Sequence, residues 1–289
     1  MSTERLRHVA TVRFGLFGIN FGACADAERL VRVARAAEES GFESIWTGEH
    51  VAMPIRDNPV PTPPETPFLD SLVALTTVAA HTQRVRLGTG ILVLPHHNPV
   101  LVAKALASLD VVSNGRLIAG FAAGYVGREF AALGVDFHRR GAITDEYLAA
   151  IRTLWTDELP RFEGRFAAFD DIRFEPKPVQ RPHPPIIVGG HAAPALRRAA
   201  RFGDGWYGFG VTVAATAPLI AELRRLRTEL GRGDAPFEIS LTTFEPLDAA
   251  LVARAAAIGV DRLIVYPLVP AGELEQTVRA LGAALAGSR

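Results

Sequence analysis

Three short stretches of this chain combine titratable residues or glycines in ways that could do chemistry. Glu49-His50 follows the apolar run Ser44–Thr47 and Gly48. A carboxylate beside an imidazole can relay a proton or hydrogen-bond a ring carbonyl; the plainer alternative is a surface turn. Gly189-Gly190-His191 follows Ile186–Val188 and precedes a helical pattern. Glycines there would let a phosphate approach backbone N–H groups at a helix N-terminus, where the dipole favours an anion. The plainer alternative is a tight strand-to-helix turn, and barrels more often hold phosphate after strands seven and eight. Gly90-Ile91, close after Gly88 in the run Val85–Leu94, marks a bulge or a ligand's close approach.

Three further groups are candidates. Gly120 and Gly124 are followed by Tyr125, Arg128 and Glu129. His96-His97 offers two imidazoles, but adjacent residues on a turn point apart. No H-E-x-x-H or carboxylate cluster accompanies them, so no metal site is expected. Gly203-Asp204-Gly205-Trp206 makes a turn that sends Trp206 either into a pocket or into the core.

Positioning these residues requires strands that end where they begin. Val85–Leu94 reads as a strand. Asn98-Pro99 supplies a helix N-cap and a proline at the first helical position. Val102, Ala105, Leu106 and Leu109 repeat at helical spacing, and Asn114-Gly115 tolerates the left-handed backbone of a helix end. Leu117–Phe121 is the next strand. Two strands joined by a crossover helix are parallel, and the connection is right-handed. The polar residues thus gather at the C-terminal edge of a parallel sheet, where α/β enzymes bind ligands.

The same alternation runs through the whole chain. Further strands are expected at Val12–Ile19, Ser44–Thr47, Ile186–Gly190, Gly205–Phe209, Phe237–Thr243 and Arg262–Tyr266. Helices are expected at Asp26–Ser40, Phe68–Thr82, Gly141–Thr156, Pro194–Phe202, Ala217–Leu230 and Leu247–Ile258, with a last one carrying Leu274, Val278, Leu281 and Leu285. Met53–Pro67 is a proline-rich surface loop. Roughly sixty residues separate strands four and five, about twice one βα unit. Within them Pro160–Pro185 reads as an extended excursion, either a lid or a structural insertion. Eight strands with helices between them predict a TIM barrel, (β/α)8, with an insertion between strands four and five, in one domain spanning 1–289. An open Rossmann sheet is the alternative, but Gly15, Gly18 and Gly22 lack the G-x-G-x-x-G spacing.

Composition excludes several partners. Lysine plus arginine number 31, as do aspartate plus glutamate, so formal net charge is zero. Neither nucleic acid nor an anionic membrane is an expected partner. No apolar stretch is long enough to span a bilayer. Cys24 is the single cysteine, so no internal disulfide or thiolate metal cluster forms, and a reducing cytoplasm is the expected location. Arg5, Arg7 and Ala23-Cys24-Ala25 imitate a secretory signal, but Arg13, Asn20 and the glycines interrupt its apolar region. A small-molecule substrate remains the expected partner. Oligomeric state stays open, with a homodimer among the expectations.

Taken in order, ESGFESIWTGEH, VRLGTGILVLPHHNPVLVAKALASLDVVSNGR, GREFAALGVDF, RGAITDEYLAAIRTLW, PKPVQRPHPPIIVGG and ARFGDGWY resemble the luciferase-like monooxygenase superfamily of flavin and deazaflavin barrels. The resemblance covers nearly the whole chain. RGAITDEYLAAIRTLW followed by PKPVQRPHPPIIVGG is similar to the branch that uses the deazaflavin coenzyme F-420. It implies a cis peptide at Gly90-Ile91 backing one face of the cofactor ring and phosphate binding around Gly189 and Gly190, with His191 following. It also implies ring or proton contacts from Glu49 and His50. Gly124 is read with the cofactor site and Tyr125 as a substrate contact. Relatives often place aspartate before the histidine, or tryptophan after the glycine of strand four; here these are Glu49 and Tyr125, which leaves the substrate pocket open. The expected activity is hydride transfer between F-420 and a small organic substrate, with His50 and Glu49 as the proton-handling pair. The alternatives are an FMN-dependent monooxygenase using oxygen and a reductase partner, a non-catalytic cofactor-binding protein, and a metal-dependent hydrolase, which the missing ligand cluster disfavours.

Overall fold

Eight of the apolar runs close into a ring of parallel strands. The computed structural model describes residues 12–286; Arg5 and Arg7 lie outside them. In chain order the strands are β1 (Arg13–Phe17), β2 (Ser44–Thr47), β3 (Arg86–Thr89), β4 (Leu92–Val93), β5 (Leu117–Ala122), β6 (Phe162–Glu163), β7 (Ala168–Phe169), β8 (Ile186–Gly189), β9 (Gly205–Phe209), β10 (Glu238–Thr242) and β11 (Arg262–Val265). β4 continues β3 beyond a break at Gly90-Ile91. β6 and β7 form a small antiparallel hairpin outside the ring. The other strands pair in the order β3-β2-β1-β11-β10-β9-β8-β5, and β3 pairs with β5 through Leu87 and Leu117 to close the barrel.

Helices cover the outside: α1 (Ala27–Glu39), α2 (Ser71–His81), α3 (Pro99–Val112), α4 (Gly127–Ala132), α5 (Arg140–Thr156), α6 (Ala193–Phe202), α7 (Val213–Glu229), α8 (Ala249–Ile258) and α9 (Leu274–Ala286). Their starts follow local capping. Asp26, Asp70, Asn98 and Asp248 each accept a backbone N–H of the first turn. Asp70 therefore moves the start of α2 to Ser71, past the expected Phe68. α7 begins at Val213, earlier than expected, because Thr212 caps it and Pro218 lies inside the helix rather than at its first turn. α4 has no capping side chain, so its sequence carries no local start signal. No described helix is long and apolar enough to cross a membrane.

The insertion between β5 and β8 is fastened to the helices beside it by hydrogen bonds. Glu146 on α5 accepts the amides of Arg165, Phe166 and Ala167 at the hairpin turn, at 3.0, 2.5 and 2.7 Å. Lys177 reaches the carbonyl of Leu154 at 2.8 Å, and Gln180 bonds Asp110 on α3. The segment runs down the outside of α3 and α5 and feeds β8.

Side chains fill the inside of the barrel. Trp46 and Tyr207 are buried there with Ile118, Ile187 and Ile264. Gly15 and Gly88 face the Trp46 indole, where an added Cβ would lie 2.8 and 2.4 Å from it. A Cβ on Gly120 would lie 1.9 Å from the Thr89 carbonyl oxygen. Gly88 and Gly120 therefore make room for the protein's own atoms, not for a ligand. Trp206 is 0% exposed in the outer core, which settles its direction.

Charges close the N-terminal end. Arg262, 0% exposed, donates to both oxygens of Glu43 at 2.8 and 3.0 Å and to Glu238. Arg13 joins Glu238 at 2.6 Å. A cavity of about 620 Å³ lies beside this network, lined by Arg13, Glu38, Glu43, Arg84 and Arg86 among others. It opens at the strand beginnings, opposite the residues expected to do chemistry.

Candidate active site

The loop after β2 is tied down before it presents any side chain. Asn20 is fully buried after β1. Its amide nitrogen donates to the carbonyls of Gly48 and Leu69, both at 2.8 Å, and its oxygen accepts the Gly48 N–H at 2.9 Å. Ser71 also donates to the Gly48 carbonyl. Each bond satisfies a backbone group that burial would otherwise strand. Glu49 and His50 therefore leave Gly48 in a fixed direction.

They go to different partners. His50 Nδ1 lies 3.2 Å from Glu129 Oε2, and the other Glu129 oxygen accepts the amides of Val51 and Ala52 at 2.8 and 3.2 Å. The Glu129 side chain is 2% exposed and that of His50 14%. Burial works against the Glu129 charge, but the bond to His50, its charge and the two amides outweigh it and hold the carboxyl below its usual range. The expected pairing of His50 with Glu49 is thus replaced by His50 with Glu129, carried by α4. Glu129 is one of the polar residues after strand four, and nothing in sequence ties it to a residue seventy-nine positions earlier.

Glu49 turns away from His50. Its oxygens accept the Val93 N–H at 2.6 Å and meet His97 Nε2 at 2.9 Å. It links the loop after β2 to β4 and to the turn that follows. Both oxygens are engaged and the side chain is 5% exposed, so the geometry gives Glu49 a positioning role. The two histidines of the turn also separate. His97 is paired, whereas both nitrogens of His96 are buried without a hydrogen-bond partner and its ring packs edge-on to Phe130 at 4.5 Å. Among the described residues no cluster of three or more histidine, cysteine or carboxylate side chains could hold a metal.

Glu49→Ala should cost about 1.5–3 kcal/mol in urea unfolding, because it removes a charged acceptor from a buried amide. The same pair gives a pH signature. Burial disfavours the His97 cation, but the Glu49 bond and charge prevail and raise its pKa above the ordinary 6.5. Its stabilisation is complete below that value and fades as pH rises through the folded-state pKa. Glu49→Gln should flatten this part of the profile; an unchanged profile would show that the pair carries no stability.

The Gly90–Ile91 peptide is cis, as the resemblance implied. The Gly90 N–H donates to the Thr47 carbonyl at 2.8 Å, and beyond Ile91 the chain pairs with β5 through Leu92 and Phe121. A Cβ on Gly189 would come within 3.2 Å of the Ile91 side chain, so the bulge leans on the end of β8. Gly190 has φ +112°, and its carbonyl accepts the Trp206 indole N–H at 2.8 Å. Trp206 thereby fixes the turn from the core side. His191 Nε2 accepts the Phe209 N–H at 3.2 Å, leaving Nδ1 to carry the proton when the ring is neutral; burial lowers its pKa and favours that form. Gly124 is different. A Cβ there would lie 2.5 Å from Val93 and 2.9 Å from Phe130, so packing accounts for this glycine.

Aromatic rings line the rest of the mouth. Phe21 stacks on Phe68 at 4.6 Å, and Phe68 meets the His50 ring edge-on at 5.3 Å. Tyr125, 58% exposed, stands 6.4 Å from His50. Tyr207 lies below, donating to Thr242 at 2.7 Å while Thr242 donates to the Ile264 carbonyl.

The sequence profile described as luciferase-like monooxygenase matches residues 10–262. The chain belongs to this family. An uncharacterised protein of Mycobacterium tuberculosis is 34% identical over 257 residues, which span 86% of this chain and 88% of that one. The oxygenase component of a flavin-dependent trigonelline monooxygenase from Acinetobacter baylyi is 34% identical over 163 residues, 56% of this chain and 42% of that protein. Among solved structures, an F-420-dependent secondary alcohol dehydrogenase in complex with an F-420–acetone adduct superposes with a TM-score of 0.79 at 15% identity, over 96% of this chain and 99% of that one.

For a luciferase-like chain, the residues present fit a phosphorylated ring cofactor. At Gly190 the positive φ favours glycine, and an added Cβ would meet Ala195 at 3.0 Å. α6 is capped by Ala192, whose side chain offers no acceptor; Pro194 brings no N–H and the Ala195 amide donates to the Ala192 carbonyl at 2.8 Å, which leaves the Ala193 N–H as the first-turn donor. That donor and the helix dipole suit an anion.

Proposed function

We propose that this luciferase-like chain is an oxidoreductase that moves a hydride between F-420 and a small organic substrate at the C-terminal mouth of the barrel. The observation that carries the proposal is the buried His50–Glu129 pair at that mouth. Hydride transfer to or from an alcohol or carbonyl carbon leaves one proton to be placed on, or taken from, the oxygen. His50 handles that proton at Nε2, the ring nitrogen not committed to Glu129. Glu129 accepts the Nδ1–H, fixing the tautomer and stabilising the cation when it forms. Glu49 positions the strand that carries Ile91, Tyr125 contacts the substrate, and the aromatic wall limits water. Gly189, Gly190, His191 and the start of α6 hold the phosphate end. A deazaflavin supplies two-electron hydride chemistry with little reactivity toward oxygen. The similarity of residues 141–190 to the F-420 branch supports this cofactor.

A second reading is an FMN-dependent monooxygenase that consumes oxygen and takes reduced flavin from a partner. The flavin-dependent relative from A. baylyi favours it.

Calorimetric titration with F-420 and with FMN separates the two; the proposal expects F-420 to bind tighter, and tighter FMN binding would favour the monooxygenase. Ala192→Asp then tests the phosphate end. Its carboxylate should cap α6 and raise stability by about 0.5–2 kcal/mol relative to alanine. It should also repel the phosphate and weaken cofactor binding at least tenfold. Unchanged affinity would place the phosphate elsewhere.

A further inference from the structure

A second cavity, of about 420 Å³, opens on the β1 and β11 side of the mouth. It lies between the loop after β1, the proline-rich loop before α2, and the loop that runs from Tyr266 to α9. No charged side chain lines it. Its polar groups are few: the hydroxyls of Thr62, Thr66 and Tyr266, and the Cys24 thiol. Burial pushes the thiol up to about 11 and raises Tyr266 as well, so both stay neutral and can only donate or accept single hydrogen bonds. Burying an ion here without a partner would be costly, whereas an apolar molecule loses nothing.

The cavity adjoins the proposed chemistry. Phe17 and Phe21 belong both to its lining and to the aromatic wall of the mouth. Tyr266 packs edge-on to Phe17 at 5.4 Å, Phe21 stacks on Phe68, and Phe68 touches His50. Two rings therefore separate a molecule in the cavity from His50, which leaves the mouth itself to a cofactor ring. A backbone turn makes the space: Gly18 has φ +94°, and a Cβ there would come within 3.0 Å of the Tyr266 ring.

We propose that this cavity is a binding site separate from the reacting centre, and that it selects an uncharged, largely apolar organic molecule bearing one hydroxyl or carbonyl. The site stands independently of the oxidoreductase reading. On size, a cavity of about 150 Å³ holds one benzene. The volume here suits one substituted ring or a medium-length alkyl chain. The larger cavity at the other end carries three arginines and two glutamates and would select differently.

The test uses the full chain without cofactor and three probes of similar shape: 4-ethylphenol, 4-hydroxybenzoate and tyramine. Calorimetry should show 4-ethylphenol binding at least tenfold tighter than either charged probe. Cys24→Phe fills the cavity from α1's side, and Thr66→Trp fills it from the loop in case the first variant misfolds. Either should weaken 4-ethylphenol binding at least tenfold while F-420 or FMN affinity stays within twofold. Equal binding of a charged probe, no binding of 4-ethylphenol, or full binding by a folded, filled variant would overturn the pocket. If 4-ethylphenol binds as described but neither cofactor does, the oxidoreductase reading falls and the pocket stands.

Discussion

Replacing His50 by alanine is expected to lower turnover about 100- to 10,000-fold, the range that a positioned general acid or base contributes. Cofactor affinity should stay within about threefold, because His50 handles the proton and leaves the phosphate end untouched. Glu129→Gln should act on the same step through the imidazole. The amide cannot stabilise the cation, and its NH₂ can face Nδ1 and turn the tautomer around. Its signature is a changed pH profile for kcat, with KM nearly constant. The Glu129 carboxyl lies below its usual 4.5 when folded. Its stabilising share is therefore present above that value and lost as pH falls through the folded pKa. Steady-state rates at several pH values, beside urea unfolding of each variant, separate chemistry from folding. A His50→Ala enzyme with unchanged kcat would remove the pair from the mechanism, and so would a Glu129→Gln enzyme with an unaltered profile.

The largest stability loss is expected at the other end of the barrel. Arg262 is 0% exposed and bridges Glu43 and Glu238. Breaking such a buried arrangement from one side typically costs about 3–5 kcal/mol, since the partners keep their desolvation penalty and lose their attraction. Arg262→Met should reach that range by urea unfolding, with Arg13 limiting the damage through its bond to Glu238. Burial disfavours the Glu43 charge, but Arg262 outweighs this and keeps the folded pKa below 4.5. Its contribution is thus held above that value and lost as pH falls through the folded pKa. In Arg262→Met this share is already lost, so stability should fall less steeply as pH drops below 4.5. A variant as stable as the parent, with the same acid limb, would mean that the network only fills space.

The barrel was legible because its signals are local. Asn98-Pro99 and Asn114-Gly115 bound α3 as read, and the runs around Ile45, Leu87, Leu117 and Val188 are buried strands. The cis peptide fell at Gly90-Ile91, on a position the resemblance supplied. What sequence could not show was who meets whom. Glu49 and His50 are neighbours in the chain, yet they leave Gly48 toward different partners, His97 and Glu129. Only the path of α4 over the mouth brings Glu129 there. Glycines were ambiguous for a related reason. Gly120 and Gly124 look like ligand-facing positions, but contact with Thr89 and with Val93 and Phe130 accounts for them. Gly190 combines a left-handed backbone with a helix start, and its phosphate role belongs to the proposal.

The structure of the complex with whichever cofactor binds tests the central claim most directly. The account predicts the ring in the mouth, with Ile91 on one face and His50 Nε2 within hydrogen-bonding reach of the reacting substrate atom, and the phosphate at Gly190 and the first turn of α6. A ring bound at the arginine-lined end, or a phosphate held away from α6, would contradict it.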